Sequence, residues 1–312
     1  MPRFDEALTI LRDRATDYAG MGRSFERLIK TALTQDPGIL GDRFEQVWLW
    51  GEWPERDGPD TGIDLVAKER EGGYCAIQCK FFDPHRPVPK KAIDSFIAAS
   101  EPLRYTSRLI VNTGGDIRGN TLRQLQASPK PCRVLQTPDL DSWDVDWLRF
   151  VDDPEALEFA EREPYTPHPY QQEAIDKVCE GFADHDRGQL ILPCGTGKTA
   201  VTLWIAERLV GKGGRVLYLV PSIALMAQTM REWSEQKELS LRYLGICSDT
   251  RAGRNDEDAS LLELDYPVTT DPAKIRAGLT QERPEAMTVV FCTYQSLPLV
   301  ADAQVKGRRA GL

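Results

Sequence analysis

The segment LPCGTGKTA, residues 192–200, combines residue types that hold phosphate groups. Gly195 and Gly197 permit a tight turn whose backbone N–H groups point at phosphate oxygens. Lys198 can reach the same oxygens with its ammonium group, and the hydroxyl of Thr199 is a ligand that Mg²⁺ accepts. The segment therefore predicts a phosphate-binding loop.

The sequence around this loop predicts the elements that must position it. The apolar run GQLILP (188–193) predicts a strand before the loop, and TAVTLWIAERLV (199–210) predicts a helix after it. Leu192 stands where the full pattern has its first glycine. A glycine-rich turn with an incidental lysine is therefore the alternative interpretation.

A second set of polar residues lies among β-rich runs in the first half of the chain. Asp64 belongs to the run IDLVA, and Gln78 and Lys80 belong to the run YCAIQCK. Residues two apart on a strand share a face, and the turn EREGG predicts a hairpin that brings Asp64 beside the other two. Carboxylate, amide and backbone oxygens suit Mg²⁺, and a lysine beside the metal can orient or help deprotonate a water that attacks a phosphodiester. The alternative is a salt-bridged sheet edge.

The first half of the chain has the pattern of a compact α/β unit ending near residue 138. Apolar spacing predicts a helix from Phe4 towards Tyr18 and a second helix over 24–33, with Ser24 as its N-cap. A further helix is predicted over 87–100. Strands are predicted over 47–50, 63–67, 74–80, 107–113 and 132–136.

Residues 139–164 are acidic and contain few β-branched residues. We interpret them as a connecting helical segment, because Trp143, Trp147, Leu148 and Phe150 need burial. A second α/β pattern follows, with strands predicted over 188–193, 215–221 and 288–293, and a polar loop over 248–283. Intervening helices imply that these strands are parallel.

Composition narrows the class of protein. The 312 residues carry 39 Lys and Arg against 48 Asp and Glu, a net charge of −9, which argues against binding nucleic acid by bulk charge but leaves room for a local basic groove. Seven dispersed cysteines without a zinc-type spacing predict reduced thiols in the cytoplasm and no structural zinc. No apolar run is long enough to span a membrane, and the N-terminus does not have the pattern of a signal peptide.

The second half resembles the first RecA-like domain of superfamily 2 helicases, particularly the restriction-enzyme and DEAH-like branch. HPYQQEAI (168–175) resembles the adenine-reading box, although His168 stands where that family often has arginine. VLYLVPSIALMAQ (216–228) and FCTYQSL (291–297) resemble two boxes that contact DNA, through Pro221, Ser222 and Gln228 and through Thr293, Tyr294, Gln295 and Ser296. The resemblance implies ATP with Mg²⁺ as cofactors, Thr199 as a metal ligand, and a nucleotide site formed by Gln171, Gly195, Thr196, Gly197, Lys198 and Thr199.

The first half resembles the PD-(D/E)xK nuclease core in its Mrr-like form, in which glutamine replaces the second acid. This resemblance implies that Asp64 and Gln78 bind the metal, with the Cys79 carbonyl as a further candidate ligand. It also implies that Lys80 is catalytic and that Glu26 is the helical glutamate of that family.

An Mrr-like nuclease ahead of a superfamily 2 motor resembles the N-terminal part of single-chain type ISP restriction–modification enzymes. The expected fold class is α/β. We expect an Mrr-like restriction-endonuclease fold over 1–138, an acidic linker over 139–164 and an incomplete RecA-like P-loop NTPase domain over 165–312. The segments ICSDT (246–250) and PVTTDP (267–272) also resemble that group.

The resemblance implies an enzyme that cuts double-stranded DNA and uses ATP to move along it. Because no Walker B box, second RecA-like domain or arginine finger is recognised, we expect a fragment of a larger restriction–modification polypeptide. The alternatives are an inactive remnant that binds DNA and nucleotide, and a repair helicase whose N-terminal domain only binds DNA.

Overall fold

The computed structural model of the chain divides into two compact α/β units. Unit one is formed by residues 1–161 and 261–267, and unit two by residues 162–260 and 268–312. The structure describes residues 4–14, 18–35, 39–59, 62–84, 88–115, 117, 121, 123–125, 128–143, 145–152, 165–247, 264 and 266–309. Within these ranges, no helix is both long and apolar enough to cross a lipid bilayer.

Unit one is a five-stranded sheet with helices packed against it. Its helices are α1 (Phe4–Arg14), α2 (Tyr18–Gln35), α3 (Ile39–Arg43), α4 (Lys90–Ala99), α5 (Thr137–Asp141) and α6 (Trp147–Asp152). Its strands are β1 (Phe44–Leu49), β2 (Leu65–Glu69), β3 (Tyr74–Lys80), β4 (Tyr105–Asn112) and β5 (Cys132–Gln136), in the sheet order β1-β2-β3-β4-β5. β1, β2 and β3 pair antiparallel, whereas β3, β4 and β5 pair parallel.

The predicted hairpin and the predicted strands over 74–80 and 132–136 are confirmed. The prediction that the second helix begins at Ser24 is wrong, because α2 already begins at Tyr18. The first turns of α2 contain Gly20 and Gly22, and each glycine within a helix lowers stability by about 1 kcal/mol relative to alanine. The burial of Phe25 and Leu28 on the inner face of α2 offsets that cost.

The acidic segment after residue 138 contributes two helices to unit one. Trp147 of α6 is buried and lies edge-on to Phe4 of α1, with 4.7 Å between the ring centroids. The backbone N–H of Phe4 donates to Asp141 at 2.8 Å. The predicted burial of Trp147 is therefore confirmed, while residues 153–164 and the side chain of Phe150 lie outside the described part of the chain.

A buried ion pair joins Arg43, at the end of α3, to Glu69 at the end of β2. Nη2 of Arg43 lies 2.6 Å from Oε1 of Glu69, which also accepts a hydrogen bond from Ser107 at 2.8 Å. Burial alone would raise the pKa of Glu69, but Arg43 and the hydroxyls of Thr106 and Ser107 lower it overall. Burial similarly raises the pKa of the neighbouring Cys75 thiol to about 12, so this cysteine stays protonated.

Unit two is built on a four-stranded parallel sheet. Its helices are α7 (Pro169–Asp184), α8 (Lys198–Val210), α9 (Ile223–Gln236), α10 (Pro272–Thr280) and α11 (Leu297–Arg309). Its strands are β6 (Arg215–Val220), β7 (Leu241–Ile246), β8 (Val268–Thr269) and β9 (Met287–Thr293), in the order β6-β9-β7-β8. The predicted parallel arrangement of β6 and β9 is confirmed.

The prediction of a strand over 188–193 is wrong. These residues have no regular secondary structure, and Ile191 is 80% exposed. A strand needs a neighbour to pair its backbone groups, and none of the described strands pairs with this run.

The predicted loop over 248–283 is also partly wrong, because its second half contains β8 and α10. Asp271 caps α10 by accepting a hydrogen bond from the N–H of Ala273 at 2.8 Å, and Pro272 occupies the first helical turn. This Asp-Pro pair is a helix-start signal that is legible in the sequence.

Candidate active sites

Asp64 is positioned by the hairpin of unit one. It immediately precedes β2, and its backbone N–H donates to the carbonyl of Ile77 on β3 at 3.0 Å. Its carboxylate Oδ2 accepts the backbone N–H of Cys79 at 2.7 Å. The hairpin therefore places the carboxylate against β3 at Cys79, between the two polar residues Gln78 and Lys80.

Gln78 carries an unsatisfied acceptor in the interior of the unit. The residue is only 2% exposed, and its Nε2 donates to the carbonyl of Gly62 at 2.8 Å. Its Oε1 is buried and has no hydrogen-bond partner among the described residues. Because the nitrogen must face the Gly62 carbonyl, the oxygen faces the other way. A buried amide oxygen without a donor can serve as a ligand for a hard cation.

Lys80 is the last residue of β3 and is half-buried. It lies in register with Asn112 of β4, and its carbonyl accepts the N–H of Thr113 at 3.0 Å. Phe81, the next residue, stacks on Phe25 of α2 with 5.0 Å between ring centroids. These contacts fix the strand end, and hence the backbone from which the ammonium group projects.

Glu26 lies on α2 and is half-buried. Burial raises the pKa of the Cys79 thiol, and the negative charges of Asp64 and Glu26 raise it further. The backbone N–H of Cys79 donates to Asp64, and α2, which carries Glu26, packs on the end of β3 through the stacked rings of Phe25 and Phe81. The fold thus brings Asp64, Gln78, Lys80 and Glu26 to one region around the end of β3, and their catalytic and metal-binding roles remain predictions.

The donor set of this region is made of oxygen atoms. Across the described residues, no group of three or more His, Cys, Asp or Glu side chains is arranged to hold a metal. A metal ion here would therefore be bound by carboxylate, amide and backbone oxygens. Such a set suits Mg²⁺ better than it suits zinc or copper.

The phosphate-loop segment of unit two has the backbone conformation that its glycines permit. Gly195 and Gly197 have φ of +76° and +73°, in the left-handed region that favours glycine. Gly197 caps α8, which begins at Lys198, and both residues are exposed. The exposed N-terminus of α8 is a place where anions bind favourably, because free backbone N–H groups and the positive end of the helix dipole coincide there.

Gln171, the predicted adenine contact, is 5% exposed and uses both ends of its amide within the protein. Its Oε1 accepts the backbone N–H of His168 at 2.8 Å, and its Nε2 donates to the carbonyl of Thr196 at 2.9 Å. A Cβ on Gly197 would lie 2.7 Å from the same nitrogen. In this structure Gln171 holds the phosphate loop, and its contact with a base remains a prediction.

Glu232 is an acidic neighbour of the phosphate loop that the motifs do not reveal. This residue of α9 is half-buried. The next residue, Trp233, donates from Nε1 to the carbonyl of Thr199 at 3.0 Å. Burial raises the pKa of Glu232. The sequence separates Glu232 from the loop by a helix and a strand, so no local spacing could have found it.

The two boxes that resemble DNA contacts divide into exposed and buried residues. Pro221 and Gln228 are exposed, as are Gln295 and Tyr294, which is 55% exposed. Ser222 caps α9, where its hydroxyl accepts the N–H of Leu225 at 3.3 Å.

In the second box, Thr293 and Ser296 are buried and hydrogen-bonded to each other at 2.9 Å. Their positions favour a structural role, namely joining the end of β9 to the turn that follows it.

Comparison with known proteins identifies both units. Residues 34–156 match a family model described as a restriction endonuclease (Mrr_cat_2). Residues 164–306 match a model described as the res subunit of type III restriction enzymes (ResIII). The predicted succession of an Mrr-like nuclease domain and a helicase-type domain is therefore confirmed.

One solved structure resembles nearly the whole chain, and a second one resembles part of it. The chain is 33% identical to the ATP-dependent Type ISP restriction-modification enzyme LlaBIII bound to DNA, with a TM-score of 0.83. The match covers 98% of this chain and 19% of that chain. A nuclease-deletion mutant of the Type ISP enzyme LlaGI, in complex with a DNA substrate mimic, is 36% identical over 46% of this chain and 14% of its own, with a TM-score of 0.38.

Among curated proteins, a probable helicase, A859L of African swine fever virus (isolate Pretoriuskop Pr4/1996), is 34% identical over 135 residues. The match covers 43% of this chain and 14% of the viral protein. The chain thus spans a small fraction of the length of the proteins it matches. The predicted resemblance to type ISP restriction enzymes is confirmed by the similarity to LlaBIII along nearly the whole chain.

Proposed function

We propose that this chain is the nuclease and motor part of an ATP-dependent DNA restriction enzyme. In this proposal unit one hydrolyses phosphodiester bonds of double-stranded DNA with Mg²⁺, and unit two binds Mg²⁺ and ATP and drives movement along DNA. Similarity to LlaBIII, whose structure is bound to DNA, extends over 98% of the chain and supports this assignment.

The observation that carries the nuclease assignment is the buried Oε1 of Gln78, which has no donor among the described residues. Leaving a buried acceptor unpaired costs about 1–3 kcal/mol, so such an atom needs an explanation. A salt-bridged sheet edge would not explain it, because an amide carries no charge. A cation bound between Gln78 and the Asp64 carboxylate explains it directly.

The residues of unit one have separate tasks in the proposed reaction. Bound Mg²⁺ would supply Lewis-acid stabilisation of the phosphate charge and a lower pKa for attacking water. Asp64 and Gln78 would hold the ion, with the Cys79 carbonyl as a further candidate ligand. Lys80 would orient the attacking water and, through its positive charge, help the water to lose its proton, and Glu26 would add negative charge on the α2 side of the site.

In unit two, the backbone N–H groups of the phosphate loop would bind the nucleotide phosphates, with Lys198 as the neutralising cation. Thr199 would offer its hydroxyl to Mg²⁺. Gln171 would stabilise the loop conformation through its hydrogen bond to the carbonyl of Thr196. The left-handed conformations of Gly195 and Gly197 support this role, because they form a loop that no other residue type adopts without strain.

We further propose the domain boundaries that the sequence indicates: nuclease over 1–138, an acidic segment over 139–164 and motor over 165–312. The first part of the acidic segment packs on unit one through Trp147 and Phe4. Because the chain covers 19% of LlaBIII, we also propose that it works within a larger restriction–modification polypeptide.

The test uses supercoiled plasmid DNA, the full chain and Mg²⁺ or Mn²⁺. We expect wild-type protein to nick the plasmid and Lys80→Ala to lose at least about 100-fold of that rate, as general acid–base groups commonly contribute 10²–10⁴-fold. Lys68→Ala is the matched control, because Lys68 is an exposed lysine of the adjacent strand paired with Glu45 at 3.0 Å. Equal nicking by wild type and Lys80→Ala, with both folded, would remove the nuclease assignment.

A further inference from the structure

Arg12 of α1 lies against the two residues that follow Lys80. Its Nη2 donates to the carbonyl of Phe82 at 3.1 Å, and its guanidinium carbon lies 5.0 Å from the centroid of the Phe81 ring. A cation over the face of an aromatic ring at this distance is attracted to the ring. The guanidinium is therefore held just beyond the end of β3, where the residues of the proposed nuclease site lie.

The segment that Arg12 contacts is also fixed from the end of β4. The hydroxyl of Thr113 accepts the N–H of Phe82 at 3.0 Å and donates to the carbonyl of Phe82 at 2.8 Å. The backbone N–H of Thr113 donates to the carbonyl of Lys80 at 3.0 Å, and Thr113 is only 1% exposed. Arg12 is thus docked on an ordered stretch of backbone that carries Lys80, which lowers the entropy lost when a ligand binds there.

Most of the hydrogen-bonding capacity of Arg12 is left for another partner. A guanidinium carries five N–H donors in a planar fork and is always charged. Arg12 is half-buried, and none of the ion pairs between described residues includes it. The buried arginines in the described part of unit one differ in this respect, because each pairs with a carboxylate: Arg43 with Glu69, Arg108 with Glu101 and Arg133 with Asp139.

A phosphate group is the ligand that suits such a side chain. Two parallel N–H groups of a guanidinium can bind two oxygens of one phosphate, and the charges are opposite. We propose that Arg12 binds a phosphate of the DNA strand next to the phosphodiester that would be cut at Lys80. This inference rests on the proposed nuclease function of unit one and adds a residue that none of its motifs contains.

The experiment measures KM and kcat for nicking of supercoiled plasmid by the full chain with Mg²⁺, at several concentrations of KCl. Arg12→Gln removes the charge and the planar fork but keeps an N–H that can donate to the carbonyl of Phe82. We expect KM to rise about tenfold, since hydrogen bonds between charged groups contribute at that level, and kcat to change less than about twofold. The slope of log KM against log salt concentration should fall by about 0.9, because one phosphate contact is lost. Arg12→Lys should keep this slope, because it keeps the charge.

Arg70→Ala is the matched control, because Arg70 is an exposed arginine in the turn before β3, at the opposite end of that strand from Lys80. It should leave KM, kcat and the salt dependence unchanged. Unchanged KM and slope in Arg12→Gln would overturn the inference. A loss confined to kcat would also overturn it, because Arg12 would then only support the segment that carries Lys80. A wild-type chain that does not nick the plasmid would overturn the proposed function of unit one itself, and the inference with it.

Discussion

Gln78→Glu replaces a buried amide by a carboxylate of nearly the same shape, and so changes the charge of the candidate metal site alone. Without metal, the substitution removes the hydrogen bond to the Gly62 carbonyl, 2.8 Å long, and puts a charged oxygen against that carbonyl. The side chain is 2% exposed, so water cannot compensate. We expect the free energy of unfolding to fall by about 2–5 kcal/mol in EDTA at neutral pH.

Mg²⁺ should reverse much of this loss. A carboxylate is a stronger ligand for a hard cation than a neutral amide, and it adds a charge at the same place. Each tenfold decrease in the dissociation constant adds about 1.4 kcal/mol of stability at saturating metal. The increase in unfolding free energy on adding Mg²⁺ should therefore be larger in Gln78→Glu than in the wild type.

Lowering the pH should also restore stability to Gln78→Glu, because burial raises the pKa of a carboxyl above its ordinary value of about 4.3. Once protonated, the group can donate to Gly62 as the amide does. The loss of stability is therefore complete above the raised pKa and fades as the pH falls below it.

Urea unfolding followed by tryptophan fluorescence is the assay. Five of the seven tryptophans (Trp48, Trp50, Trp53, Trp143 and Trp147) belong to unit one, so the signal reports mainly on this unit. Gln46→Glu is the control, because Gln46 is exposed on β1 and its substitution should change nothing. If Mg²⁺ stabilises Gln78→Glu no more than it stabilises the wild type, Gln78 is not a metal ligand.

Four further substitutions test other parts of the molecule. Lys198→Ala should weaken binding of a fluorescent ADP analogue (mant-ADP) more than about tenfold. Thermal unfolding should not change, because the side chain is exposed. Unchanged binding would contradict the phosphate-loop role. Gly197→Ala should weaken nucleotide binding more than Gly195→Ala. Both substitutions strain a left-handed backbone, but only the first places a Cβ 2.7 Å from Nε2 of Gln171. Equal effects would show that this contact is unimportant. Glu69→Gln should lower the unfolding free energy by about 3–5 kcal/mol by leaving Arg43 buried without its partner. Because the pKa of Glu69 is lowered in the folded state, its stabilisation is present above about pH 4.3 and lost as pH falls through the lowered pKa, and the variant should lack this part of the pH dependence in urea unfolding.

The nuclease half of the fold could be predicted well because its signals are local. The run 74–80 is bounded by glycines and by a proline-rich segment, and the short turn before it leaves only an antiparallel hairpin as the connection. Once the hairpin is set, the adjacency of Asp64 and Gln78 follows from strand register. Ser24 has the pattern of an N-cap and so predicts too late a start for α2, whose first turns contain Gly20 and Gly22 and are stabilised by tertiary burial.

Unit two could be predicted less completely because its structure depends on residues that pair from distant parts of the sequence. The apolar run 188–193 has the composition of a strand but lacks a described neighbour with which to pair. Thr293 and Ser296 look like surface polar residues until the turn after β9 buries them against each other. Trp233 reaches the carbonyl of Thr199 only through the packing of α9 on α8, which no spacing within either helix encodes.

The two candidate sites differ in whether their buried amide groups are fully hydrogen-bonded before a ligand binds. In unit two the Gln171 amide is satisfied at both ends, so the phosphate loop is ordered at no cost in unpaired groups. In unit one Gln78 is satisfied at Nε2 but not at Oε1, so the metal-free protein carries a penalty of about 1–3 kcal/mol. A cation that coordinates Oε1 removes this penalty on binding, which adds to its affinity without any further contact. The neutral ligand is therefore less of a disadvantage than its charge suggests, because the fold has already placed and desolvated it.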